Sequence, residues 1–401
     1  MGLLPGHLTP WLAESAVLLG ADEPFAAAGR KLAHFTGTTL SEATVRRLSE
    51  AAGAAWVQLD LAEVARLEAD PTVAPPVGAP LQQVSVDGVF VPLVGGEWRE
   101  VKVLAVGTIG PDGAGGVTTT DLSYCARLAD HARFGREVLA ELHRRGTLTA
   151  PTVVAVQDGA EWIQGVLDLH VPEAVRVLDF AHAAGYLGRS AQAAFGAGTA
   201  AANAWLEEWL HELKHGDPAA VLAALAALPA SEARAEAAGY LAARRKQIRY
   251  AAFRHAGYPI GSGCVESAGK ALVQGRLCGA GMRWAARHVD AVLGLRAVVD
   301  TPRWDAAWEQ IAAQLRRQAR QVRADRRAAR LAAAPPVPAS LPPPPRSPAT
   351  APLPEILLRL RQEQRDRPKL VVNGRPTADH PYKRTYRPPQ TTPPALPDPK
   401  R

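Results

Sequence analysis

Cysteine, methionine and aromatic residues are all scarce in this chain of 401 residues. The three cysteines, Cys125, Cys264 and Cys278, stand far apart with no Cys-x-x-Cys pair. They can build neither a zinc ribbon nor a disulfide framework, and so few thiols suit a reducing cytoplasm. Aromatic residues make up only 6%, which is thin for a sugar-binding cleft. No uninterrupted apolar run approaches the roughly 20 residues that a membrane helix needs. The first residues lack the charged start and small-residue cleavage site of a signal peptide. These absences lead us to expect a cytoplasmic protein with no membrane partner.

Positive charge, by contrast, is in excess: 46 Lys and Arg against 39 Asp and Glu, a formal net charge of +7. That balance points to an anionic partner, nucleic acid before membrane. The length and a hydrophobic fraction of 47% allow two or three domains with their own cores.

Residues 1–69 read as a small helical domain. Leu8–Leu19 and Pro24–Phe35 are amphipathic, a Thr36-Gly37-Thr38-Thr39 turn follows, and Ser41–Ala52 is a third helix with Ser41 as its N-cap. Helix, Gly-containing turn and a helix bearing Arg46 and Arg47 outline a helix-turn-helix, although such hairpins are also plain packing units. A Pro-rich linker, residues 70–80, marks a boundary.

Beyond it the periodicity changes to that of strands. Leu81–Pro92 carries the β-branched Val84, Val86, Val89 and Val91, which favour a pleated backbone, around a single carboxylate, Asp87. An acid inside an apolar strand is costly unless it is paired or binds a metal. Trp98–Ile109 and Val117–Tyr124 complete a meander. A helix over Asp130–Arg145 comes next. Pro151–Val156 is a short buried strand ending at Gln157-Asp158-Gly159, then come a helix, Glu161–Leu169, and a strand, Val175–Leu178. Three antiparallel strands, then helix, strand, helix and strand, give an α/β fold with the mixed sheet of an RNase H-like core. Sites on parallel strands lie at their carboxyl ends, where Asp158 falls.

Residues 183–258 read as a helical insertion whose far end is basic, with Arg244, Arg245 and Lys246. Residues 259–331 return to the core: Gly261-Ser262-Gly263-Cys264-Val265-Glu266 breaks the helical pattern, and the segment ends in a basic helix with Arg316, Arg317 and Arg320. A solvated face is the ordinary role of such runs, and contact with DNA phosphates the sharper one. Residues 332–401 read as a Pro-rich, largely disordered basic tail.

Three carboxylates, Asp87, Asp158 and Glu266, thus stand at element boundaries of one expected core. Phosphodiester chemistry on two divalent ions needs such a set, because Mg²⁺ prefers oxygen ligands and keeps several waters. A glycosidase using Asp87 and Asp158 is the rival chemistry, disfavoured by the few aromatics and the positive charge.

The words VSVDGVFVPL, VQDGAEWI, VRVLDFAHAAGYL and YPIGSGCVESAGK…RLCGAGMRW, in that order, resemble bacterial insertion-sequence DDE transposases, most nearly the ISKra group of the Mutator-like superfamily. The likeness covers about residues 5–310, and NGRPTADHPYKR resembles the family's ending. It implies an RNase H-like core with a helical insertion between the second Asp and the Glu. It also implies Asp87, Asp158 and Glu266 as a catalytic triad holding Mg²⁺ or Mn²⁺. Asp179 and His182 resemble a Cys/Asp-x-x-His element of that family, as accessory residues, with a helix-capping role as the plainer alternative and Asp179 as reserve for the second carboxylate. The function implied is metal-dependent strand cleavage and strand transfer by a homo-oligomer on double-stranded DNA, at terminal inverted repeats and target DNA. The alternative is a non-catalytic DNA-binding relic. The Cys-rich zinc-binding segment of many relatives is missing here, which suggests a shorter lineage or a truncated reading frame.

Overall fold

The structure, a computed structural model, describes residues 8–333, 355–366, 371–372 and 375–376. The chain divides into two compact units, one through Ala328 and one from Ala329 onward.

The first unit opens with three helices: α1 (Pro10–Asp22), α2 (Phe25–Thr36) and α3 (Glu42–Ala69). Ser41 caps α3 by accepting the Thr44 N–H at 3.2 Å. The third helix runs on well beyond Ala52, the end that the sequence pattern marks, even though Gly53 lies in its path. Glycine weakens a helix interior, but here it makes a close crossing: a Cβ on Gly53 would collide with the Ala291 carbonyl.

The main sheet of the described residues has five strands: β1 (Leu81–Pro92), β2 (Trp98–Pro111), β3 (Val117–Arg127), β4 (Thr152–Gln157) and β5 (Val175–Leu178). Their spatial order is β3-β2-β1-β4-β5. The first three pair antiparallel, whereas β4 joins β1, and β5 joins β4, in parallel. Short turns allow the meander, and the parallel pairs need helical crossovers. Helices α4 (His131–Glu137) and α5 (Leu139–Arg144) connect β3 to β4, and α6 (Glu161–His170) connects β4 to β5. The chain is therefore an α/β protein built on a mixed sheet.

Alternation along β1 assigns its faces. Val84 and Val86 pack with Phe134, Val138, Leu142 and Ile163 of the crossover side. Val89 and Val91 point the other way, into a core with Val265, Leu272, Val289 and Leu293. Asp87 shares the parity of Val89 and Val91, so it stands on this second face.

After β5 come α7 (Phe180–Phe195), α8 (Ala200–His215), α9 (Pro218–Ala227), α10 (Glu232–Ala243) and α11 (Tyr250–His255). Leu187, Leu213, Val221, Leu225 and Leu241 from these helices cover Val154, Val156 and Val177 of β4 and β5. The apolar stripe of Trp205, Leu206, Trp209 and Leu210 packs against this cluster. Sheet edges need cover. Here Leu178 donates its N–H to the Gln247 carbonyl at 2.9 Å, and the Tyr250 hydroxyl donates to Leu178 O at 2.9 Å.

The chain returns through α12 (Gly263–Ala268), a π-helical turn at Gly269–Gln274 and α13 (Gly275–Leu277), which form one bent helical run. Helix α14 (Ala286–Val299) crosses α3, and α15 (Trp304–Ala333) closes the unit by packing Trp308 and Ile311 with Trp56 and Val17. A buried ion network ties α3 to the sheet. Arg127 at the end of β3 bonds Asp60 of α3 at 2.8 Å and Glu137 of α4 at 2.9 Å. Arg144 bonds the other oxygen of Asp60 at 2.5 Å.

The second unit contains α16 (Glu355–Asp366) and a two-residue antiparallel rung, Val371–Val372 with Arg375–Pro376. Residues 334–354 of the expected Pro-rich linker, and the basic segment with Tyr382 and Tyr386, lie outside the described residues. No described helix is long and apolar enough to cross a membrane.

Candidate active site

Strand register brings the first two carboxylates level. Val84 of β1 is paired with Ala155 of β4 in parallel. Carrying that register forward by three residues sets Asp87 beside Asp158, just past the end of β4. Gln157 is likewise paired with Leu178 of β5, so one further residue aligns Asp158 with Asp179. Three aspartates therefore stand in a row across three parallel strands.

Glu266 arrives from the opposite side. The segment ahead of it is pinned just past the end of β5 and near the start of β1. Phe180 N–H donates to Ile260 O at 2.9 Å, and the Gln83 side chain donates to Gly261 O at 3.1 Å. Asp179 Oδ2 accepts from the Ser262 N–H at 2.7 Å and from the Ser262 hydroxyl at 2.8 Å. Helix α12 then starts at Gly263, with Val265 and Ala268 buried against the sheet and Glu266 facing solvent.

Asp87, Asp158, Asp179, His182 and Glu266 line one cleft of about 310 Å³, together with Ser262. Asp87 sits half-buried with one oxygen accepting the Gly88 N–H at 2.7 Å. Burial pushes its carboxyl from 3.8 up to about 6; the Gly88 bond opposes this, while the fields of Asp158, Glu266 and Glu100 push the same way. Asp158 Oδ1 accepts the Ala160 N–H at 2.9 Å. Among the described residues neither Asp87 nor Asp158 forms an ion pair, and Glu266 has only Lys270 at 3.7 Å.

This donor set is all oxygen, anionic and without cationic partners at its two aspartates, which fits a hard cation such as Mg²⁺ or Mn²⁺. Among the described residues no three His, Cys, Asp or Glu side chains are gathered closely enough to hold a metal ion by themselves. The carboxylates line the cleft rather than converge on a point.

Asp179 and His182 have a different employment. Asp179 is buried, and its Oδ1 accepts the His182 N–H at 2.8 Å as the N-cap of α7. With both oxygens occupied, Asp179 clamps β5, α7 and the Ser262 turn together. His182 is exposed, edge-on to the ring of Tyr186 and tilted against that of Tyr240. Removing the clamp by Asp179→Ala should lower the unfolding free energy by about 1–3 kcal/mol through the lost cap and Ser262 bonds, read by urea denaturation.

The residues that sequence reasoning did not single out are Tyr186 and Tyr240. Their rings stack at 4.2 Å, with Arg189 over the first and Arg244 over the second. The Tyr240 hydroxyl donates to the Asp158 carbonyl, and Arg244 Nη2 donates to Gly159 O at 2.8 Å. Gly159 has φ +86°, and a Cβ there would strike the Tyr240 hydroxyl. Helix α10 therefore holds the Asp158 turn from behind. Tyr186 was within reach of the sequence, four residues after His182 on one helix face. Tyr240 carried no signal, being a lone tyrosine in an Ala-rich helix.

Of the expected DNA-contacting cations, Arg244 reaches the cleft's Asp158 turn. Arg46 and Arg47 are exposed on α3, Arg46 lying 4.0 Å from Glu50 and Arg47 bonding Ala43 O and Thr44. Arg245 and Lys246 are exposed between α10 and α11. Arg316 is half-exposed on α15, where Arg317 and Arg320 face solvent and Arg317 bonds Gln314. A scan against protein-family models and a search of curated proteins return no match for this chain.

Proposed function

We propose that this chain is a DNA transposase of the DDE type on an RNase H-like core, cutting and joining DNA strands with a divalent metal. The observation that carries the reading is the placement of Asp87, Asp158 and Glu266 around one cleft, from the middle of β1, the carboxyl end of β4 and the first turn of α12. The strand order and the excess of positive charge support it, as do the sequence words around each carboxylate.

Asp87, Asp158 and Glu266 would hold Mg²⁺ or Mn²⁺. The bound metal would lower the pKa of an attacking water and offset charge on the phosphate undergoing displacement. The protein's own part is placement. Gly88 and Ala160 N–H groups each hold one oxygen of Asp87 and Asp158, and both aspartates line the cleft. Asp179 anchors the turn that leads into Glu266. In hydrolysis, a P–O bond forms to water and the P–O3′ bond breaks, freeing a 3′-hydroxyl. In transfer, that hydroxyl attacks a target phosphodiester and expels another 3′-oxygen, so the bond count is kept. Surface Arg and Lys would grip the backbone phosphates of inverted repeat and target, with strong dependence on salt. Joining two ends calls for more than one subunit.

The test is nicking of a labelled duplex carrying the element's end, with Mg²⁺, with Mn²⁺ and with chelator. Cleavage that requires metal supports the reading. Tight duplex binding with no cleavage under either metal overturns it in favour of a DNA-binding relic. Within the same assay, Tyr240→Phe removes one hydrogen bond behind Asp158. A loss near 1 kcal/mol gives about a 5-fold fall in cleavage rate, with duplex affinity unchanged.

A further inference from the structure

Met282, Arg283 and Trp284, from the stretch between α13 and α14, line a second cavity beyond the end of the bent helical run that begins near Glu266. It has about 380 Å³ and is lined by four arginines, Arg46, Arg276, Arg283 and Arg287, against two acids, Glu42 and Glu50. Glu50 is already engaged, 3.2 Å from His288 and 4.0 Å from Arg46. The cavity is built of fixed parts. Trp284 is locked to the β1–β2 turn by backbone bonds, its N–H to Pro92 O at 3.2 Å and its carbonyl from Val94 N–H at 2.9 Å.

Arg276 is the unusual member. It is 2% exposed, and its guanidinium lies between the rings of Phe25 and Trp284 at 4.5 and 5.1 Å. Its Nε and Nη2 donate to Ala21 O and Gly20 O at the end of α1. Nη1 makes no hydrogen bond among the described residues, yet it is not among their sealed polar atoms, so it opens onto the cavity. No carboxylate of the described residues pairs with this buried cation; Glu23, the acid whose field reaches it, is paired with Lys31. A buried charge without a counter-charge is costly, and an anion supplied from outside would complete it. Beside it, the 14-residue helix α14 begins at Ala286, and its N-cap Ala285 has no side chain to cap the first N–H groups. That end carries partial positive charge and free donors.

We infer that this cavity binds a phosphate group, held by Arg276, Arg283, Arg287 and the first turn of α14. The source favoured is a backbone phosphate of the DNA engaged at the carboxylate cleft, which rests on the transposase reading. The ten residues from Glu266 to Arg276 run along one bent, partly π-helical segment and span at most about 15 Å. That distance matches about four nucleotides at 3.4 Å each.

Two measurements on the full chain test the site, using Arg283→Gln/Arg287→Gln, both exposed, with exposed Arg66→Gln as control. The first needs neither DNA nor metal: the melting temperature in inorganic phosphate against chloride at equal ionic strength. Phosphate should raise it by about 2 °C or more in wild type and in Arg66→Gln, and not in the double variant. No rise in wild type, or an equal rise in the double variant, overturns the site. The second is duplex affinity against salt, where the slope of log K on log salt should fall by about one to two in the double variant. A phosphate effect with an unchanged slope keeps the phosphate site and assigns it to a free phosphate-bearing ligand. A phosphate effect with no duplex binding by wild type keeps the site and overturns the transposase reading.

Discussion

Asp87→Asn should abolish strand cleavage while making the metal-free protein more stable above pH 6. Both effects come from one carboxylate. The loss of activity should reach about 10³-fold or more, because removing one member of a group that acts as a unit costs nearly as much as removing all of it. Asparagine still accepts the Gly88 N–H, so the strand keeps its local bond and only the charge goes.

The stability gain follows from the raised carboxyl of Asp87, near 6 when folded against an ordinary value of 3.8. A folded state that favours the protonated form has its full stability below about pH 4 and loses it as pH rises through 6. By pH 7.5 the ionised wild type carries a penalty that the asparagine variant would escape. After allowance for solvent screening this is about 1–2 kcal/mol. Melting in chelator at pH 4.5 and 7.5 checks it: the gap between the two proteins at the lower pH should be about a third of that at the higher. A variant that is inactive and less stable at pH 7.5 would mean that Asp87 is a structural residue. Added Mg²⁺ should reverse the order, stabilising wild type and leaving Asp87→Asn unmoved.

Arg127→Ala should be the most damaging substitution outside the cleft, lowering stability by about 3–5 kcal/mol. The Arg127 side chain is fully buried, and its two partners, Asp60 and Glu137, are buried as well. Removing the arginine strands two carboxylates in the interior, which costs far more than the intact pair contributes. Arg144 remains on Asp60 and Arg133 on Glu137, at 2.6 Å, so the loss stays below that of two bare charges. Urea denaturation of wild type, Arg127→Ala and Asp60→Asn/Glu137→Gln/Arg127→Met would check the account. The triple variant removes the charges of this triad together and leaves Arg144 on Glu141 and Arg133 on Asp290, so it should recover most of the loss. No recovery would mean that Arg127 acts through packing alone.

The order of elements was legible because local pattern determines it. A run of β-branched valines marked β1, whose observed ends are the expected ones, and Gly95-Gly96 marked the turn to β2. The helices of 183–258 showed in their Ala, Leu and Glu content. Boundaries governed by packing were not legible. Helix α3 continues through Gly53 because α14 crosses there, a fact about two segments more than 200 residues apart. The ion network around Arg127 was hidden for the same reason, since Asp60, Arg127, Glu137 and Arg144 come from four elements whose spacing follows no motif.

The site divides in the same way. The sequence alone determined which carboxylates stand in or just past the strands, because an acid in a valine strand and Asp-Gly after a buried strand are local signals. It also determined the excess of cations. Only the tertiary structure decided which acids are free. Register set Asp87, Asp158 and Asp179 in one row, and the Ser262 turn then occupied Asp179 with two bonds, leaving Asp87, Asp158 and Glu266 open to the cleft. The roles of Tyr240 and Arg244, and of the buried Arg276, were decided there too. Hydrogen bonding and desolvation depend on neighbours in space, and neighbours in space are what a linear pattern cannot specify.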